Sequence, residues 1–361
     1  MLNHGGQLEK AKAQYPDVSE PWLDLSTGIA PWSWPVADVP DHVWQRLPES
    51  STALCAAAAA FYGCEAEAML AVAGSQVAIE LVPECLQQMS PVADIAAVAV
   101  PRWGYAEHGR CWARAGFQLV HYDCATDVDA LLAAARVQHV VVINPNNPNT
   151  QKTPLAVLQR WQQQLQHCGG YLVVDEAFAD TGDSRNSALT LGRCDNLVVL
   201  RSLGKFFGMA GLRLGFVISG AALQHSLQQR LILWGVSHPA QWLGERMLLD
   251  TDWHSRQRRR IRDSGQRLSA LLRSTLLPDP MLELRDGPLF VSIFGRGGDG
   301  CAVLSTLFDF LARHGILVRL FAPQEGIQCL RIGLADDAGL ERLGSALTAW
   351  QTSKRTASVT V

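Results

Sequence analysis

Residues 201–216, RSLGKFFGMAGLRLGF, hold the most chemically suggestive spacing in the chain. Lys205 sits among small and apolar residues, with Ser202 three positions before it and Arg213 eight after. Desolvation disfavours a charged ammonium, so a lysine in such surroundings tends to lose its proton. A neutral lysine amine is a nucleophile that forms a Schiff base with an aldehyde. Ser202 and Arg213 can then hold a phosphate from two sides, Arg213 through planar, forked contacts.

An aldehyde that carries a phosphate points to pyridoxal 5'-phosphate (PLP), and PLP demands further residues. Its ring acts as an electron sink only if the pyridine nitrogen stays protonated, which calls for a buried carboxylate. YLVVDEAF supplies Asp175 at the end of an apolar run, where α/β folds place ligands. NPNNPNT offers Asn147 as a donor to the ring's 3'-oxygen. AVAGSQVAIELV offers Gly74, Ser75 and Gln76 between a strand and a helix, where backbone N–H groups bind phosphate. PRWGY offers Trp103 for stacking on the ring. Each element alone reads as a cap, a turn or a surface residue. Their common order is what carries weight, with five of the six placed directly after an apolar run.

Those runs define the elements that must position the site. From about residue 70 to 220 they are MLAVAG, IAAVAV, HVVVIN, YLVVDEAF, NLVVLRS and LGFVIS. Continuous apolar runs without alternation predict strands covered on both faces, as in a mostly parallel sheet sheathed by helices. Intervening stretches such as PLAVLQRWQQQLQHCGG have helical spacing and stop at glycine. The middle of the chain is therefore α/β. Residues 1–40 read as irregular, 52–63 as a helix and 221–275 as helical throughout. The basic run RQRRRIRD at 256–263 reads as a solvated helix face. From about 280, GPLFVSIF, ILVRLF and QCLRIGLA read as strands, with a helix around 301–313 and another at the C-terminus. This predicts a smaller α+β domain.

Bulk properties narrow the class. The chain has 361 residues, 48% hydrophobic and 18% charged, with a formal net charge of −3. That composition is ordinary for a globular protein, and the net charge argues against a nucleic-acid or anionic-membrane partner. The nine cysteines form no CxxC and no metal-ligand spacing, and they read as reduced core thiols. No apolar run reaches a membrane-spanning length and no signal pattern opens the chain, so a cytoplasmic location is expected.

Across nearly its whole length the order Gly-Ser, aromatic, Asn-Pro, Asp, Ser-x-x-Lys, Arg resembles the fold-type-I PLP-dependent enzymes, the aspartate aminotransferase superfamily. The branch it resembles contains the histidinol-phosphate aminotransferases and the threonine-phosphate decarboxylases of cobalamin biosynthesis. The resemblance implies an α/β large domain with a mainly parallel seven-stranded sheet, covering 41–255. It implies a small α+β domain from 1–40 and 256–361, and a homodimer. Lys205 would then be the Schiff-base lysine and proton shuttle, with Asp175 on the pyridinium nitrogen. Asn147 would bond the 3'-oxygen and Trp103 would stack on the ring. Gly74, Ser75, Gln76, Ser202 and Arg213 would cradle the phosphate. Arg331, in QCLRIGLA, matches the arginine that grips the substrate α-carboxylate.

Three positions depart from the pattern. Relatives commonly carry Tyr where this chain has Phe178, and Ser or Thr where it has Gly204. Histidinol-phosphate aminotransferases usually read Arg-Tyr-Pro where this chain reads Arg46-Leu47-Pro48. The cofactor's hydrogen-bond set is therefore thinner, but no group essential to the chemistry is lost.

PLP weakens whichever bond at Cα stands perpendicular to its ring, so the substrate's anchors decide between transamination and decarboxylation. Here the N-terminus discriminates. Threonine-phosphate decarboxylases resemble this chain in opening with His-Gly-Gly followed by an Asp-x-Ser stretch. The counterparts are His4-Gly5-Gly6 and DLSTGIAP, with Asp24, Ser26 and Gly28 and one break in the pattern at Ala30. Glycines let the backbone lie close to a ligand, and a neighbouring histidine can donate to a phosphate. The expected reaction is decarboxylation of O-phospho-L-threonine to (R)-1-amino-2-propanol phosphate. His4, Gly28, Asn147 and Arg331 are the expected substrate contacts. The alternatives are a histidinol-phosphate-type aminotransferase and a non-catalytic PLP-fold module, and retention of Lys205, Asp175, Asn147 and Arg213 argues against the latter.

Overall fold

The computed structural model describes residues 4–19, 21–36, 38–49, 51–89, 96–276 and 279–359. The chain divides into two compact units. Its strands, in chain order, are β1 (Leu23–Asp24), β2 (Met69–Val72), β3 (Ala97–Pro101), β4 (Gln118–Tyr122), β5 (His139–Ile143), β6 (Leu172–Asp175), β7 (Leu197–Ser202), β8 (Gly215–Ile218), β9 (Leu282–Asp286), β10 (Phe290–Arg296), β11 (Ile316–Leu317), β12 (Arg319–Leu320) and β13 (Ile327–Gly333).

The first unit comprises Ser33–Asn147 and Gln151–Arg256. It holds a seven-stranded sheet in the order β2-β8-β7-β6-β5-β3-β4. β8 runs antiparallel to both neighbours and every other pair is parallel. All the strands except β8 therefore end at the same edge, and β8 starts there. β5, β6, β7 and β8 are buried at every position, which is why they read as unbroken apolar runs. One face packs Val98, Val141, Val173, Val198 and Val217 against Ile79, Val82, Leu86, Trp112 and Leu223 of the covering helices. β4, QLVHY, has no counterpart among the apolar runs, because it is an edge strand and only its last residue is buried.

The stretch expected to be helical throughout 221–275 is interrupted. Helices span Ala221–Gln228, His238–Leu249 and Thr251–Leu276. Between the first two, Ile232, Leu233 and Trp234 are exposed and Trp234 has a left-handed φ of 61°. Ser237 caps the second helix by accepting from the Ala240 N–H, a start signal hidden within an apolar stretch.

The second unit comprises Met1–Trp32, Pro148–Thr150 and Gln257–Val361. Its four-stranded antiparallel sheet has the order β12-β13-β10-β9, and β1 pairs with β11 in parallel. The run ILVRLF is thus two strands serving two sheets. The helix Gly297–Arg313 packs on β10 and β13, burying Leu304, Leu307 and Leu311. Among the described residues no helix is long and apolar enough to cross a membrane.

Candidate active site

The common sheet edge gathers the residues with chemistry. Pro101 of β3 leads to Trp103, Ile143 of β5 to Asn147, and β6 ends on Asp175 itself. β7 ends on Ser202 and leads into the short helix Leu203–Phe206 that carries Lys205. β2 leads through Gly74 into the helix Ser75–Met89. Arg213 stands before a strand rather than after one. It reaches the same edge because β8 alone runs the other way.

The phosphate-sized corner is made by glycines. Gly74 has φ +84°, and a Cβ placed on it would stand 2.7 Å from Arg213 Nη2. Ser202 pairs in register with Gly215, where a Cβ would stand 2.6 Å from the Ser75 nitrogen. Any side chain at either position would push the guanidinium or the helix start away. Arg213 takes a left-handed φ of 52° and is steadied by donating from Nη1 to the Ala210 carbonyl (3.2 Å). The Val77 N–H turns back to the Gly74 carbonyl, so the first-turn N–H groups of Ser75 and Gln76 remain outside the helical ladder. A guanidinium, a hydroxyl and helix N–H groups at one corner form an anion cradle.

Asp175 is 4% exposed. Its Oδ1 accepts from the Ala177 N–H (2.9 Å), and His108 Nε2 lies 2.9 Å from Oδ2. A carboxylate has about four lone-pair sites, so two bonds leave room for a further N–H donor. Asn144 anchors the Asn-Pro loop beside it. The Asn144 N–H donates to the Asp175 carbonyl, while its side chain bonds Thr153 in both directions. Asn146 donates to the Trp103 carbonyl (2.8 Å), tying that loop to the Trp103 turn. Lys205 is partly buried, with Nζ 5.7 Å from the centroid of the buried Phe178 ring. These groups fit PLP: an anion cradle, a buried carboxylate, an amide loop and a half-buried amine along one edge.

In the other unit, Arg331 of β13 is buried between the rings of Phe290 and Phe321, at 5.2 and 5.7 Å. It donates to the Ser26 carbonyl. Burial pushes its guanidinium down to about 10 from its ordinary value. Ser26 Oγ donates to Asp24 Oδ1 (2.6 Å) and accepts from the Gly6 N–H (2.7 Å). A Cβ on Gly5 would stand 2.4 Å from the Ser26 carbonyl oxygen. The His-Gly-Gly stretch is therefore fitted onto DLSTG beside Arg331, and bare backbone is what lets it lie so close. Gly28 is buried two residues beyond Ser26, and His4 is half-buried.

Three residues were not singled out from the sequence. His108 and Tyr105 follow Trp103 in PRWGYAEH, where their strand-end position was the available signal. Arg319 pairs in register with Arg331, placing a second guanidinium beside the first. Burial lowers its pKa as well.

Comparisons with known proteins bear on the family and the fold. Residues 45–347 match the family described as aminotransferase class I and II. Threonine-phosphate decarboxylase from Pseudomonas aeruginosa is 40% identical over 349 residues, 96% of this chain and 97% of that protein. The protein of that name from a Sinorhizobium species is 36% identical over 355 residues, covering 95% and 97%. The crystal structure of histidinol-phosphate aminotransferase from Sinorhizobium meliloti in complex with pyridoxal-5'-phosphate superimposes with a TM-score of 0.76. It is 21% identical, covering 98% of this chain and 96% of that one.

Proposed function

From the premise that this chain belongs to the class I and II aminotransferase family of PLP-dependent enzymes, we propose that it releases CO₂ from O-phospho-L-threonine. The product is (R)-1-amino-2-propanol phosphate, the linker piece of the cobalamin nucleotide loop. The observation that carries this reading is the seating of His4-Gly5-Gly6 on Asp24–Ser26 beside Arg331. Identity to two threonine-phosphate decarboxylases over nearly the whole chain supports it.

PLP, when bound, would supply an electron sink for the bond that breaks at Cα. The protein's residues do the rest. Lys205 would supply the amine for the cofactor's aldehyde and the proton that replaces the carboxylate at Cα. Asp175 would keep the ring nitrogen protonated, and His108 holds that carboxylate in place. Gly74, Ser75, Gln76, Ser202 and Arg213 would hold the cofactor phosphate, Asn147 the 3'-oxygen and Trp103 the ring face. Arg331 takes the α-carboxylate, supported by the Gly28 backbone. A phosphorylated amino acid brings a second anion, and Arg319 and His4 supply cationic and donor groups for it.

Two further features complete the reading. Trp44, Leu47, Ile232, Leu233, Trp234 and Leu249 are exposed on one unit. Large exposed apolar side chains of this kind support a homodimer. Nine free cysteines support a reducing, cytoplasmic setting.

The test is incubation with PLP and O-phospho-L-threonine, assaying CO₂ and aminopropanol phosphate. Formation of a keto product with 2-oxoglutarate, without CO₂, would overturn the proposal.

A further inference from the structure

We infer that Tyr105 is a positioning residue for the cofactor phosphate and acts through the side chain of Gln76. This rests on the PLP reading above. Tyr105 Oη donates to Gln76 Oε1 at 3.0 Å. Gln76 Nε2 in turn donates to Glu80 Oε1, one helical turn on, also at 3.0 Å. The Gln76 side chain is therefore held at both ends, and its contribution to the anion cradle is its backbone N–H.

The turn Gly74–Gln76 is thus fixed from two directions. On the strand side, the missing Cβ of Gly215 lets β8 press against the Ser75 nitrogen. On the other side the tie is the Tyr105 phenol. That tie starts from a loop with little slack. A Cβ on Gly104 would stand 2.7 Å from Pro101 Cγ and 3.0 Å from Ile143 Cδ1. Asn146 Nδ2 also holds the Trp103 carbonyl. A run of contacts therefore links the Asn-Pro loop, the ring-stacking turn and the phosphate turn: Asn146 to Trp103, Tyr105 to Gln76, Gln76 to Glu80. Hydrogen-bonded side-chain networks of this kind act as a unit, so removing one member loosens the others.

Loss of one hydrogen bond in such a network weakens binding that depends on it by roughly three- to tenfold. The experiment is an absorbance titration of the apoprotein with PLP, on wild type, Tyr105→Phe, Gln76→Met and the double variant. Thermal unfolding of the apo forms accompanies it. Each single variant is expected to raise the PLP dissociation constant roughly three- to tenfold. The double variant should match the worse single one, with apo melting temperatures unchanged. A dissociation constant for Tyr105→Phe within twofold of wild type overturns the inference, as do single effects that multiply in the double variant. Wild-type protein that takes up no PLP overturns the cofactor reading itself. Normal wild-type uptake with an unaltered Tyr105→Phe overturns only the role of Tyr105.

Discussion

The imidazole Nε2 of His108 and the carboxylate Oδ2 of Asp175 stand 2.9 Å apart, although 67 residues separate them in sequence. Both are almost wholly buried. His108 reaches Asp175 from the helix Glu107–Arg114, which packs against the helix Ser75–Met89 and against β3 and β4. Replacing His108 by Phe removes one of the two hydrogen bonds that orient this carboxylate. A buried acceptor that loses its donor costs about 1–3 kcal/mol. The expected result is a roughly tenfold lower kcat with KM for the phosphorylated substrate little changed, read from steady-state decarboxylation.

Lys205→Ala removes the nucleophile that would hold PLP covalently. The variant is expected to lose decarboxylation entirely. It should also release its PLP on gel filtration, where the wild type keeps a coloured cofactor. A Schiff-base absorbance band in Lys205→Ala would show that another residue holds the aldehyde.

Gly5→Ala puts a methyl group 2.4 Å from the Ser26 carbonyl oxygen, a backbone atom that cannot swing away. The segment must shift and take its hydrogen bond to Ser26 with it. Isothermal titration should show unchanged PLP affinity. KM for O-phospho-L-threonine should rise by about tenfold or more, as expected when a positioning contact is displaced.

Arg331 has its pKa lowered to about 10 by burial. Carboxylate binding needs the protonated guanidinium, so affinity is full below that value and is lost as pH rises through it. A pH profile of kcat/KM should fall on the alkaline side near pH 10. In Arg331→Lys the fixed fork is gone, and KM should rise about a hundredfold. A KM unchanged in Arg331→Lys would argue against Arg331 as the carboxylate anchor.

His139 supplies a stability test remote from the site. Burial pushes it down to about 3 from 6.5. Its ring is packed against Trp112 and Phe117, and its Nδ1 accepts from the Tyr171 N–H. Between these two values the unfolded chain binds a proton that the folded chain refuses. Stability therefore falls as pH drops below about 6.5, by roughly 1.4 kcal/mol per unit from this group. Urea unfolding of His139→Asn should show a shallower loss between pH 6 and pH 5 than wild type.

Much of this protein was determined by its sequence alone. The six apolar runs announced strands because β-branched and small residues that face helices on both sides leave no polar alternation. Gly74, Trp103, Asn147, Asp175 and Ser202 were legible as candidates because each follows such a run, and strand ends are where an open sheet admits ligands. Two edge strands were not legible. β4 and β9 each have one neighbour; β4 buries only its last residue and β9 alternates buried with partly exposed residues, so QLVHY and LELRD lack the signature of a covered strand. The break between Gln228 and His238 was also hidden, since Ile232, Leu233 and Trp234 are apolar yet exposed.

Only the tertiary structure decided the partners. The hydrogen bonds of Tyr105 with Gln76 and His108 with Asp175 depend on which strands become neighbours, a property of topology that no local pattern carries. The same holds for Arg319 beside Arg331, which is a matter of register between β12 and β13. The N-terminal His-Gly-Gly shows the division most plainly. Its composition allowed either a loose end or a fitted one. Contact with Ser26 settled which, because Gly5 lies against the Ser26 carbonyl where a Cβ would clash, and Gly6 takes a left-handed φ of 76° with its N–H on Ser26 Oγ.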